Sequence, residues 1–455
     1  MASTPLTIVV GAGISGLTCA HALNRSGQKV LLFEAASRPG GVIQSIEEGG
    51  YLFELGPQSF SATSELADLC DDLGLAGELL EAPHGAPRYV LIGDKLVSVP
   101  LSPALLTSNL LSWSTKFSFL RDVLGKTSPP ETDESIAAFV RRKFSPELLD
   151  RLAGPFVSGI YAGDPERLSL RAAFPKLYEA EKTAGSVIRG ALILGKAAGQ
   201  ETVTRSRPRP GLLSFRSGNK ILIRALTTGL GAALRCNVEI SGVRQAARGF
   251  RMKIQSSAGD EELACDRIVV TTPTTASAQM LQDIAPAASG AMEKISYAPV
   301  AVVSLGYKRE QVRHSLDGFG FLVPRSSGRR TLGTVWNSSV FPGRAPEGHV
   351  LLTSFVGGAT DPTATSLSRE ELAALVHREI APILQITGNP AVNRVTPYVK
   401  AIPQYNLGHL DLLKTIEDAA ARIPGLWIIG NYWKGPSIGA CVEHAMAIAD
   451  TIRIG

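Results

Sequence analysis

The chain begins with strand-like and helix-like segments in alternation. Residues 6–10 (LTIVV) are an unbroken apolar run rich in β-branched side chains, which is typical of a strand buried on both faces. Apolar positions then recur at helical spacing from Leu17 to Leu23, and this pattern stops at Gly27. Residues 29–33 (KVLLF) form a second apolar run. The pattern predicts a strand, a helix and a second strand parallel to the first.

Further strands and helices are predicted along the rest of the chain. Residues 425–431 form an apolar strand that leads into a helical pattern over residues 440–452. Most of residues 99–204 has helical character as well. Short apolar runs separated by turns predict strands, mostly antiparallel in the later part, at residues 237–240, 267–270, 300–305, 320–323, 331–335 and 351–355.

The composition is that of a globular protein with more than one domain. The 455 residues are 44% hydrophobic and 19% charged, and a single core stops growing well below this length, so two or three domains are expected. The formal net charge is only +5, and the basic cluster Arg205, Arg207 and Arg209 alternates with serine and proline. Such a cluster is typical of a solvated loop, so no nucleic-acid partner is predicted.

Cysteines and histidines give no sign of a metal site or of disulfides. The five cysteines are dispersed, odd in number and without a C-x-x-C pair, and the seven histidines lack metal-ligand spacing. We therefore expect a reducing compartment and no bound metal. The N-terminus lacks the features of a signal peptide, and no run of about 18 apolar residues could span a bilayer. The predicted location is the cytoplasm, free or at the inner face of the cell membrane.

The turn after the first strand carries a nucleotide-binding fingerprint. Gly11, Gly13 and Gly16 have the spacing G-x-G-x-x-G between a predicted strand and a predicted helix. Gly11 permits a tight turn, Gly13 lets a pyrophosphate approach bare backbone, and Gly16 allows close contact between helix and strand. The helix N-terminus offers unpaired N–H groups and the positive end of its dipole. Glu34, 18 residues after Gly16, can accept hydrogen bonds from ribose hydroxyls and would repel a 2′-phosphate.

Further glycine-rich segments favour a longer dinucleotide than NAD. Residues 38–41 (RPGG) and 54–57 (ELGP) follow the acidic residue, and their glycines suggest that more ligand passes over bare backbone. Near the C-terminus, residues 430–431 (GN) end a strand, and residues 435–439 (GPSIG) open a helix whose N–H groups can hold a polar group. Each segment alone could be an ordinary turn. Together they favour FAD, held by both ends of the chain.

These motifs resemble those of the FAD-containing amine oxidase superfamily, and within it the protoporphyrinogen oxidase family. The most specific stretch is residues 155–165 (PFVSGIYAGDP), continued at residues 168–169 (LS) and 173–175 (AFP). Shorter matching stretches are residues 53–57, 87–90, 318–320, 331–334 and 355–358. The similarity spans essentially the whole chain.

The resemblance implies an α/β fold in three parts. The implied domains are a Rossmann-like FAD-binding domain (residues 1–85, 205–285 and 400–455), a mixed-sheet substrate-binding domain (residues 86–98 and 286–399) and a helical membrane-associating domain (residues 99–204).

The predicted helical domain contains a dense apolar face with no acidic residue before Asp122. The pattern fits either a surface that lies on a bilayer or a contact between domains. The peripheral membrane association of the family favours the first. The residues of this face are Leu101, Leu105, Leu106, Leu110, Leu111, Trp113, Phe117, Phe119 and Leu120.

The motifs and the resemblance together predict the site residues. The cofactor-binding set is Gly11, Ala12, Gly13, Ile14, Ser15, Gly16, Glu34, Ala35, Arg38, Gly40, Gly41, Val42, Gly56, Pro57, Gln58, Ser59, Val238, Trp427, Gly430, Asn431, Ser437, Ile438 and Val442. The resemblance places Val238 near the adenine. It also implies the substrate-binding set, which is Arg88, Gly159, Leu322, Val335 and Phe355.

The resemblance gives each substrate-binding residue a role. Arg88 would bind a propionate, since the guanidinium fork matches a carboxylate, and Gly159 would line the cavity. Leu322, Val335 and Phe355 would sandwich the ring, and valine at 335, where the family often has leucine, makes that wall roomier. From the residues alone, Arg88 would be a surface arginine and the three apolar residues sheet core.

The implied activity is oxidation of protoporphyrinogen IX to protoporphyrin IX with FAD as cofactor. Three rounds of hydride transfer from a methylene bridge to flavin N5 are implied, with molecular oxygen as acceptor and hydrogen peroxide as product. No protein residue is predicted to be catalytic. The loop of residues 430–435 has Tyr432 where many relatives have a histidine-arginine sequence, which leaves the choice of substrate open.

Three alternatives to this activity stay open. They are a coproporphyrinogen III oxidase on the same fold, an amine oxidase or carotenoid desaturase, and a flavin-bearing chaperone of the haem pathway without enzymatic activity. The predicted partners are the porphyrinogen and oxygen. A membrane surface, transfer of the product to a downstream chelatase, and a homodimer are further interactions that the sequence leaves open.

Overall fold

The structure is a computed structural model that describes residues 4–100, 103–201, 211–257 and 259–454. Positions of the sequence predictions that lie outside these described residues are Leu101, the side chain of Leu106, Arg205, Arg207 and Arg209.

The strands and helices are numbered separately in chain order. The strands are β1 (Leu6–Val10), β2 (Lys29–Glu34), β3 (Ser45–Glu48), β4 (Tyr51–Glu54), β5 (Phe60–Ser61), β6 (Leu79–Glu81), β7 (Arg88–Ile92), β8 (Lys95–Ser98), β9 (Leu212–Phe215), β10 (Leu234–Cys236), β11 (Val238–Gln245), β12 (Phe250–Ser256), β13 (Gly259–Cys265), β14 (Arg267–Val270), β15 (Tyr297–Lys308), β16 (Gly320–Leu322), β17 (Thr331–Val335), β18 (His349–Gly357), β19 (Val392–Pro403) and β20 (Leu426–Ile428). The helices are α1 (Ile14–Arg25), α2 (Ser64–Asp72), α3 (Trp113–Leu124), α4 (Ile136–Lys143), α5 (Pro146–Leu148), α6 (Gly154–Tyr161), α7 (Leu170–Ala173), α8 (Pro175–Ala184), α9 (Val187–Glu201), α10 (Lys220–Leu230), α11 (Thr274–Leu281), α12 (Pro286–Glu293), α13 (Asn337–Val340), α14 (Arg369–Leu384), α15 (His409–Ala421) and α16 (Ile438–Ile454).

A parallel sheet with the strand order β10-β2-β1-β14-β20 unites distant parts of the chain. β1 pairs with β2 on one side and with β14 on the other, and β14 pairs with β20. This register confirms the parallel arrangement predicted for residues 6–10 and 29–33. It also brings the strand predicted within residues 425–431 next to β14, so that N-terminal, central and C-terminal segments share one sheet.

Both faces of this sheet are covered, as the unbroken apolar run of β1 predicts. Val9 points into a core formed with α1, α2, α10 and α16. Ile8 and Val10 point the other way, into a core formed with β11, β12, α11, α12 and α15. All three side chains are at most 5% exposed. Burial of alternate side chains in two cores is what stabilises a strand that lacks a polar face.

A mostly antiparallel sheet with the strand order β19-β15-β18-β17-β16-β7-β8 forms the second large layer. The strands predicted between residues 300 and 355 occur here as β15 to β18, and their antiparallel pairing confirms that prediction. The hairpin of β7 and β8 joins through a parallel pair between β7 and β16. One face of the sheet is covered by α14, where Leu305 and Val356 are completely buried.

The predicted domain boundaries agree with this layering only in part. β7 and β8 fall in the predicted substrate-binding segment 86–98, and they share a sheet with β15 to β18. β19, however, runs to Pro403 and crosses the boundary at residue 400. α12, which the prediction assigns to the substrate-binding domain, places Ala288 and Met292 in the core beneath the parallel sheet. The division into domains therefore stays a prediction.

Part of the apolar face between residues 101 and 120 packs against the antiparallel sheet. Leu110 and Leu111 are 1% and 3% exposed and pack against Val90 of β7. Leu105 and Phe119 lie against the same cluster. Packing within the protein, rather than contact with a bilayer, therefore accounts for these residues.

An exposed stripe along α3 contains three residues of that face, Trp113, Phe117 and Leu120, and also Leu124, which follows Asp122. Trp113, Phe117, Leu120 and Leu124 are 81%, 65%, 49% and 74% exposed. Their spacing of four, three and four residues places them on one side of the helix. Among the described residues of the face, only this stripe remains a candidate for contact with a bilayer. No helix in the described ranges is long and apolar enough to cross a bilayer.

A buried ionic network fixes how the helices α3, α4 and α8 meet. Nζ of Lys143, a residue that is 5% exposed, lies 2.7 Å from Asp122 and 3.4 Å from Glu181. Burial alone would raise the pKa of both carboxyls. Hydrogen bonds outweigh this effect: Lys143 and Ser186 donate to Asp122, and Arg142 donates to Glu181. The pKa of each carboxyl therefore lies below its ordinary value. Because each buried charge has partners, the network specifies one arrangement of the helices.

Candidate functional site

A cleft of about 430 Å³ opens where β1, β2 and β14 end at the carboxyl edge of the parallel sheet. Ligands of open α/β sheets bind at this edge. The cleft brings together motifs from both ends of the chain. The predicted cofactor-binding residues that line it are Gly11, Gly13, Ile14, Ser15, Glu34, Ala35, Gly40, Gly41, Val42, Pro57, Val238, Gly430, Asn431 and Ile438.

The glycine turn after β1 is held close to α1 and to β14. Gly11 has a φ of +98°, and its N–H donates to the carbonyl of Phe33 at 2.8 Å. A Cβ on Gly16 would lie 1.9 Å from the Gly11 carbonyl oxygen, so no larger residue fits at this contact. The Thr271 hydroxyl, 2.8 Å from the same oxygen, holds the turn from the β14 side. The turn geometry thus accounts for glycine at both positions.

The N-terminus of α1 is free to bind an anion. Gly13 is its N-cap residue, and no side chain caps the helix. A Cβ on Gly13 would have no protein atom within 4 Å. Gly13, Ile14 and Ser15 line the cleft, so this helix terminus, with its uncapped N–H groups and the positive end of the dipole, lies at the cleft.

Glu34 has a structural role that sequence reasoning did not find. One carboxylate oxygen accepts the N–H of Ala12 at 2.7 Å, and the other accepts the N–H of Ala36 at 2.9 Å. The carboxylate thus ties the end of β2 to the glycine turn. Each oxygen keeps a lone pair for a hydroxyl donor, so the predicted ribose contact is compatible with this role.

The segment of residues 38–43 folds over the glycine turn. Gly40 has a φ of +102°, and its N–H donates to the carbonyl of Ala12 at 2.7 Å. Val42 is 43% exposed and lines the cleft. A Cβ on Gly56 would lie 2.1 Å from the Val42 carbonyl oxygen, so the backbone of Gly56 packs directly against this segment.

Gln58 links the cofactor side of the molecule to the antiparallel sheet. Its amide donates to the carbonyls of Glu54 and Gly56 at 3.0 and 2.9 Å, and its oxygen accepts from Asn337 at 2.7 Å. Asn337 begins α13, directly after β17. Gln58 is 5% exposed, so its contacts in the described structure are with protein groups.

Other predicted cofactor-binding residues that do not line the cleft also have their contacts within the protein. Trp427 and Val442 pack in the core beside α1. The Arg38 guanidinium donates to the carbonyls of Pro39 and Gly41 within its own loop. The Ser437 hydroxyl accepts the N–H of Ala440 at 3.2 Å and caps the last helix. The remaining predicted residues that do not line the cleft are Ala12, Gly16, Gly56 and Ser59.

Sequence reasoning missed the part of the lining that follows β14. Thr271, Thr272 and Pro273 face the cleft, followed by Gln279 and Met280 of α11. In a parallel sheet the carboxyl ends of adjacent strands meet at one edge, so the residues after β14 were predictable once β14 was placed beside β1. No local sequence pattern, however, indicates that β14 lies next to β1. The lining residues not predicted are Val10, Phe33, Ile43, Glu239, Ile240, Ser241, Thr271, Thr272, Pro273, Ala276, Gln279, Met280, Pro436 and Cys441.

The predicted ring-binding residues lie on one face of the antiparallel sheet. Leu322 is paired with Gly333, and Gly333 with Phe355, while Val335 is paired with Gly320 in the next row. Paired residues share a face, and so do residues two apart on one strand. All three apolar side chains are only partly buried. Because Gly320 and Gly333 carry no side chains, the sheet surface has shallow depressions between the three apolar side chains.

Gly159 and Arg88 border this face. A Cβ on Gly159 would lie 2.8 Å from a Leu322 methyl carbon, so the exposed α6 backbone lies directly against that side chain. Arg88 is level with Gly320 in the register of β7 and β16, and its guanidinium lies 5.5 Å from the centre of the Phe319 ring. Arg88 is exposed, and no acidic group among the described residues pairs with it. The arginine is therefore available to a carboxylate ligand.

Together these features suit a phosphate-containing dinucleotide beside an apolar ring. The cleft offers uncapped N–H groups, bare glycine backbone and one carboxylate. The described residues contain no cluster of three potential metal ligands, and their five cysteines are unpaired. The geometry supports binding and orientation of such a ligand.

Comparisons with known proteins agree with these features. The family model described as flavin containing amine oxidoreductase matches residues 14–453. A chloroplastic protoporphyrinogen oxidase of Nicotiana tabacum is 36% identical over 98% of this chain and 85% of its own length. A coproporphyrinogen III oxidase of Bacillus subtilis is 28% identical over 97% of this chain and 96% of its own.

Solved structures share the fold. A protein of Exiguobacterium sp. 255-15 has a TM-score of 0.83 and 24% identity, with 99% of both chains covered. Cyclohexylamine oxidase of Brevibacterium oxydans has a TM-score of 0.72 and 16% identity, again over 99% of both chains. The α/β architecture with two large sheets is thus shared by enzymes that act on different substrates.

We predict that alanine at Gly13 and alanine at Gly16 have different effects. Gly13→Ala should leave thermal unfolding of the apoprotein nearly unchanged and lower FAD affinity by about tenfold or more, because its Cβ enters only the cleft. Gly16→Ala should destabilise the apoprotein by about 1–3 kcal/mol, because its Cβ overlaps the Gly11 carbonyl. Calorimetry of the apoproteins and FAD titration by fluorescence quenching measure both effects. Normal FAD binding by Gly13→Ala would contradict the placement of the pyrophosphate.

Proposed function

The chain belongs to the flavin-containing amine oxidoreductase family, and on this premise we propose that it oxidises protoporphyrinogen IX to protoporphyrin IX with FAD as its cofactor. Molecular oxygen is the acceptor, and three molecules of hydrogen peroxide form per porphyrin. The observations that carry the proposal are a dinucleotide-type cleft and, on the antiparallel sheet, an apolar face with an arginine at its border that has no acidic partner among the described residues. The full-length similarity to a protoporphyrinogen oxidase supports it.

The proposed cofactor position follows from the cleft. The N–H groups after Gly13 would hold the pyrophosphate, Glu34 the ribose and Val238 the adenine, with Gly430 and Asn431 at the other end of the lining. The redox chemistry is that of FAD: two-electron oxidation of a methylene bridge, with the electrons passed on to oxygen. The chain's own side chains bind and orient the substrate and exclude water.

The proposed substrate position follows from the sheet face. Leu322, Val335 and Phe355 present apolar surface to a flat macrocycle, and the Gly159 backbone lets the helical segment close against it. Arg88 would bind a propionate at the border, where the guanidinium can form two parallel hydrogen bonds. These positions would hold the ring without any proton-transferring side chain.

The distribution of charge favours protoporphyrinogen over coproporphyrinogen III. The register aligns Arg88, Gly320, Val335, Thr353, Ser304 and Arg394 in one row, and Val90, Leu322, Gly333, Phe355, Val302 and Thr396 in the next. In these two rows of described residues the charged side chains are Arg88 and Arg394, and Arg394 is paired with Glu48. A single free cation at one border suits a ring with its carboxylates on one side. Coproporphyrinogen III carries four propionates and would need further cations.

The loop tyrosine is proposed to have a structural role rather than a role in substrate choice. Tyr432 is completely buried in the core beneath the parallel sheet, away from the face that carries Arg88. Gly430 is required beside it, because a Cβ there would lie 2.6 Å from the Tyr432 ring. The tyrosine-type loop therefore supports the cleft from below.

The helical segment is proposed to dock on a membrane surface through the α3 stripe. Trp113, Phe117, Leu120 and Leu124 form the stripe, and Lys116, whose Nζ lies 4.6 Å from the Trp113 ring centre, adds a cation beside it. Apolar and basic residues together suit an anionic bilayer.

Mixing the holoprotein with protoporphyrinogen IX under anaerobic conditions tests the activity. The oxidised flavin absorbance should bleach at once, and admission of air should restore it with release of hydrogen peroxide. Coproporphyrinogen III in a parallel experiment should reduce the flavin more slowly at equal concentration. A flavin that neither porphyrinogen reduces would overturn the proposal. Faster reduction by coproporphyrinogen III, or by an amine, would assign one of the alternative activities instead.

Replacement of Arg88 tests the propionate site. Arg88→Ala should raise KM for protoporphyrinogen IX by about 10- to 100-fold and leave kcat nearly unchanged, because a charge-assisted contact remote from the reacting carbon is lost. The matched control is Arg251→Ala, an exposed arginine of β12 that pairs with Glu262 away from the sheet face. Unaltered KM in Arg88→Ala would place the propionate elsewhere.

Vesicle sedimentation tests the docking stripe. The double variant Trp113→Ser, Phe117→Ser should lose at least about tenfold in partitioning to anionic phospholipid vesicles, because two large apolar groups no longer enter the bilayer. Val399→Ser is the control, since Val399 is 72% exposed on β19, outside the helical segment. Equal partitioning of the double variant and the wild type would remove the stripe from the proposal.

A further inference from the structure

Tyr405 closes the C-terminal loop of residues 430–435, which borders the cofactor cleft. Its hydroxyl donates to the carbonyl of Asn431 at 2.7 Å and accepts the N–H of Gly435 at 2.8 Å. Gly430 and Asn431 belong to the cleft lining. Tyr405 is 1% exposed, and burial raises the pKa of its hydroxyl well above the ordinary range of phenols, so it stays a neutral donor. One hydroxyl therefore fixes both ends of the loop.

His409 fixes the middle of the same loop. Its Nε2 lies 2.8 Å from the carbonyl oxygen of Tyr432, which can only accept, so Nε2 carries the proton. The imidazole stacks on the Tyr405 ring with centres 4.3 Å apart and planes at 17°. Burial lowers the pKa of His409, which is 2% exposed. The two side chains thus form one rigid unit with three hydrogen bonds to loop backbone.

The segment that carries this unit, residues 404–409, is itself bound to the helical part of the chain. The N–H of Ser169 donates to the carbonyl of Tyr405 at 2.8 Å. Asp133 accepts from the Ser169 hydroxyl at 2.7 Å and from the N–H of Gly408 at 3.1 Å. Tyr405 and His409 are therefore anchored to the helical part of the chain, and this anchoring lets them hold the loop in place.

We propose that Tyr405 and His409 are positioning residues for the flavin, which set the loop backbone at Gly430 and Asn431 in the conformation that the bound cofactor requires. Neither side chain lines the cleft, so both act through the loop. The free loop has glycines at both ends, with a φ of +127° at Gly435, and without the unit it would sample many conformations. This inference rests on the flavin site of the proposed function, but not on the identity of the substrate.

Tyr405→Phe and His409→Phe test the inference, because both keep an aromatic ring in the stack and remove the hydrogen bonds to the loop. Each variant should bind FAD about tenfold more weakly than the wild type, since the loop must be ordered on binding. Each should also change the visible absorption band of the bound flavin and its reduction midpoint. In the apoprotein of Tyr405→Phe, the amide of Gly435 should exchange with solvent faster, because its acceptor is gone.

Tyr307→Phe is the matched control. Tyr307 is also completely buried, and its hydroxyl bonds to His377 at 2.9 Å on the α14 side of the antiparallel sheet. It should lose comparable thermal stability without any change in FAD affinity or flavin spectrum. FAD affinity and spectra in Tyr405→Phe and His409→Phe equal to those of Tyr307→Phe would overturn the inference. If Tyr405→Phe does not fold, the same comparison with His409→Phe decides.

These outcomes separate the inference from the proposed function. A wild-type flavin that binds normally but is not reduced by either porphyrinogen would refute the activity, while the affinity and spectra of the variants would still decide the role of Tyr405 and His409. Normal reduction of the wild-type flavin, with no difference between the loop variants and Tyr307→Phe, would refute the role of these residues alone.

Discussion

The close contact between α1 and the glycine turn of β1 is the constraint on which the site depends. Because Gly16 has no side chain, the helix can approach the Gly11 carbonyl, and the unpaired N–H groups of its first turn then open into the cleft. Glu34 and Thr271 hold the same turn from the neighbouring strands. The anion-binding end of the helix, the acidic residue and the residues after β14 are therefore fixed relative to one another by the parallel sheet.

The antiparallel sheet supplies an apolar face, on which Leu322, Val335 and Phe355 lie together. Its other face is sealed by α14, so only one face is available. Part of the helical segment covers the end of that face at Val90, and the α6 backbone reaches Leu322 through Gly159. A buried hydrogen bond joins Gln58, in the segment between β4 and β5, to Asn337 of α13, which follows β17. The proposed substrate position is thus bordered by the antiparallel sheet, part of the helical segment and the α6 backbone.

Support for the cleft also comes from residues that never face it. The C-terminal loop is anchored by its own Tyr432 side chain, which is buried in the core, and by hydrogen bonds to Tyr405 and His409. The segment that bears these two residues is bound in turn to the helical part through Asp133 and Ser169. A continuous set of hydrogen bonds therefore runs from the helical segment to the loop beside the cofactor, and a rigid loop lowers the entropy cost of binding a flexible dinucleotide.

Local patterns in the sequence determined the elements and the first half of the site. Residues 6–10 had to be a doubly buried strand because no polar face exists, and the glycine spacing with Glu34 specified a dinucleotide turn because each position has a steric or hydrogen-bonding reason. Pattern alone could not divide the apolar face before Asp122, since buried and exposed apolar residues look alike until their neighbours are known. The tertiary structure separated Leu110, which packs against Val90, from Trp113, which is exposed. Likewise it alone decided that Thr271 borders the cleft and that Arg88 shares a face with Leu322, because strand order and register depend on contacts between residues far apart in the chain.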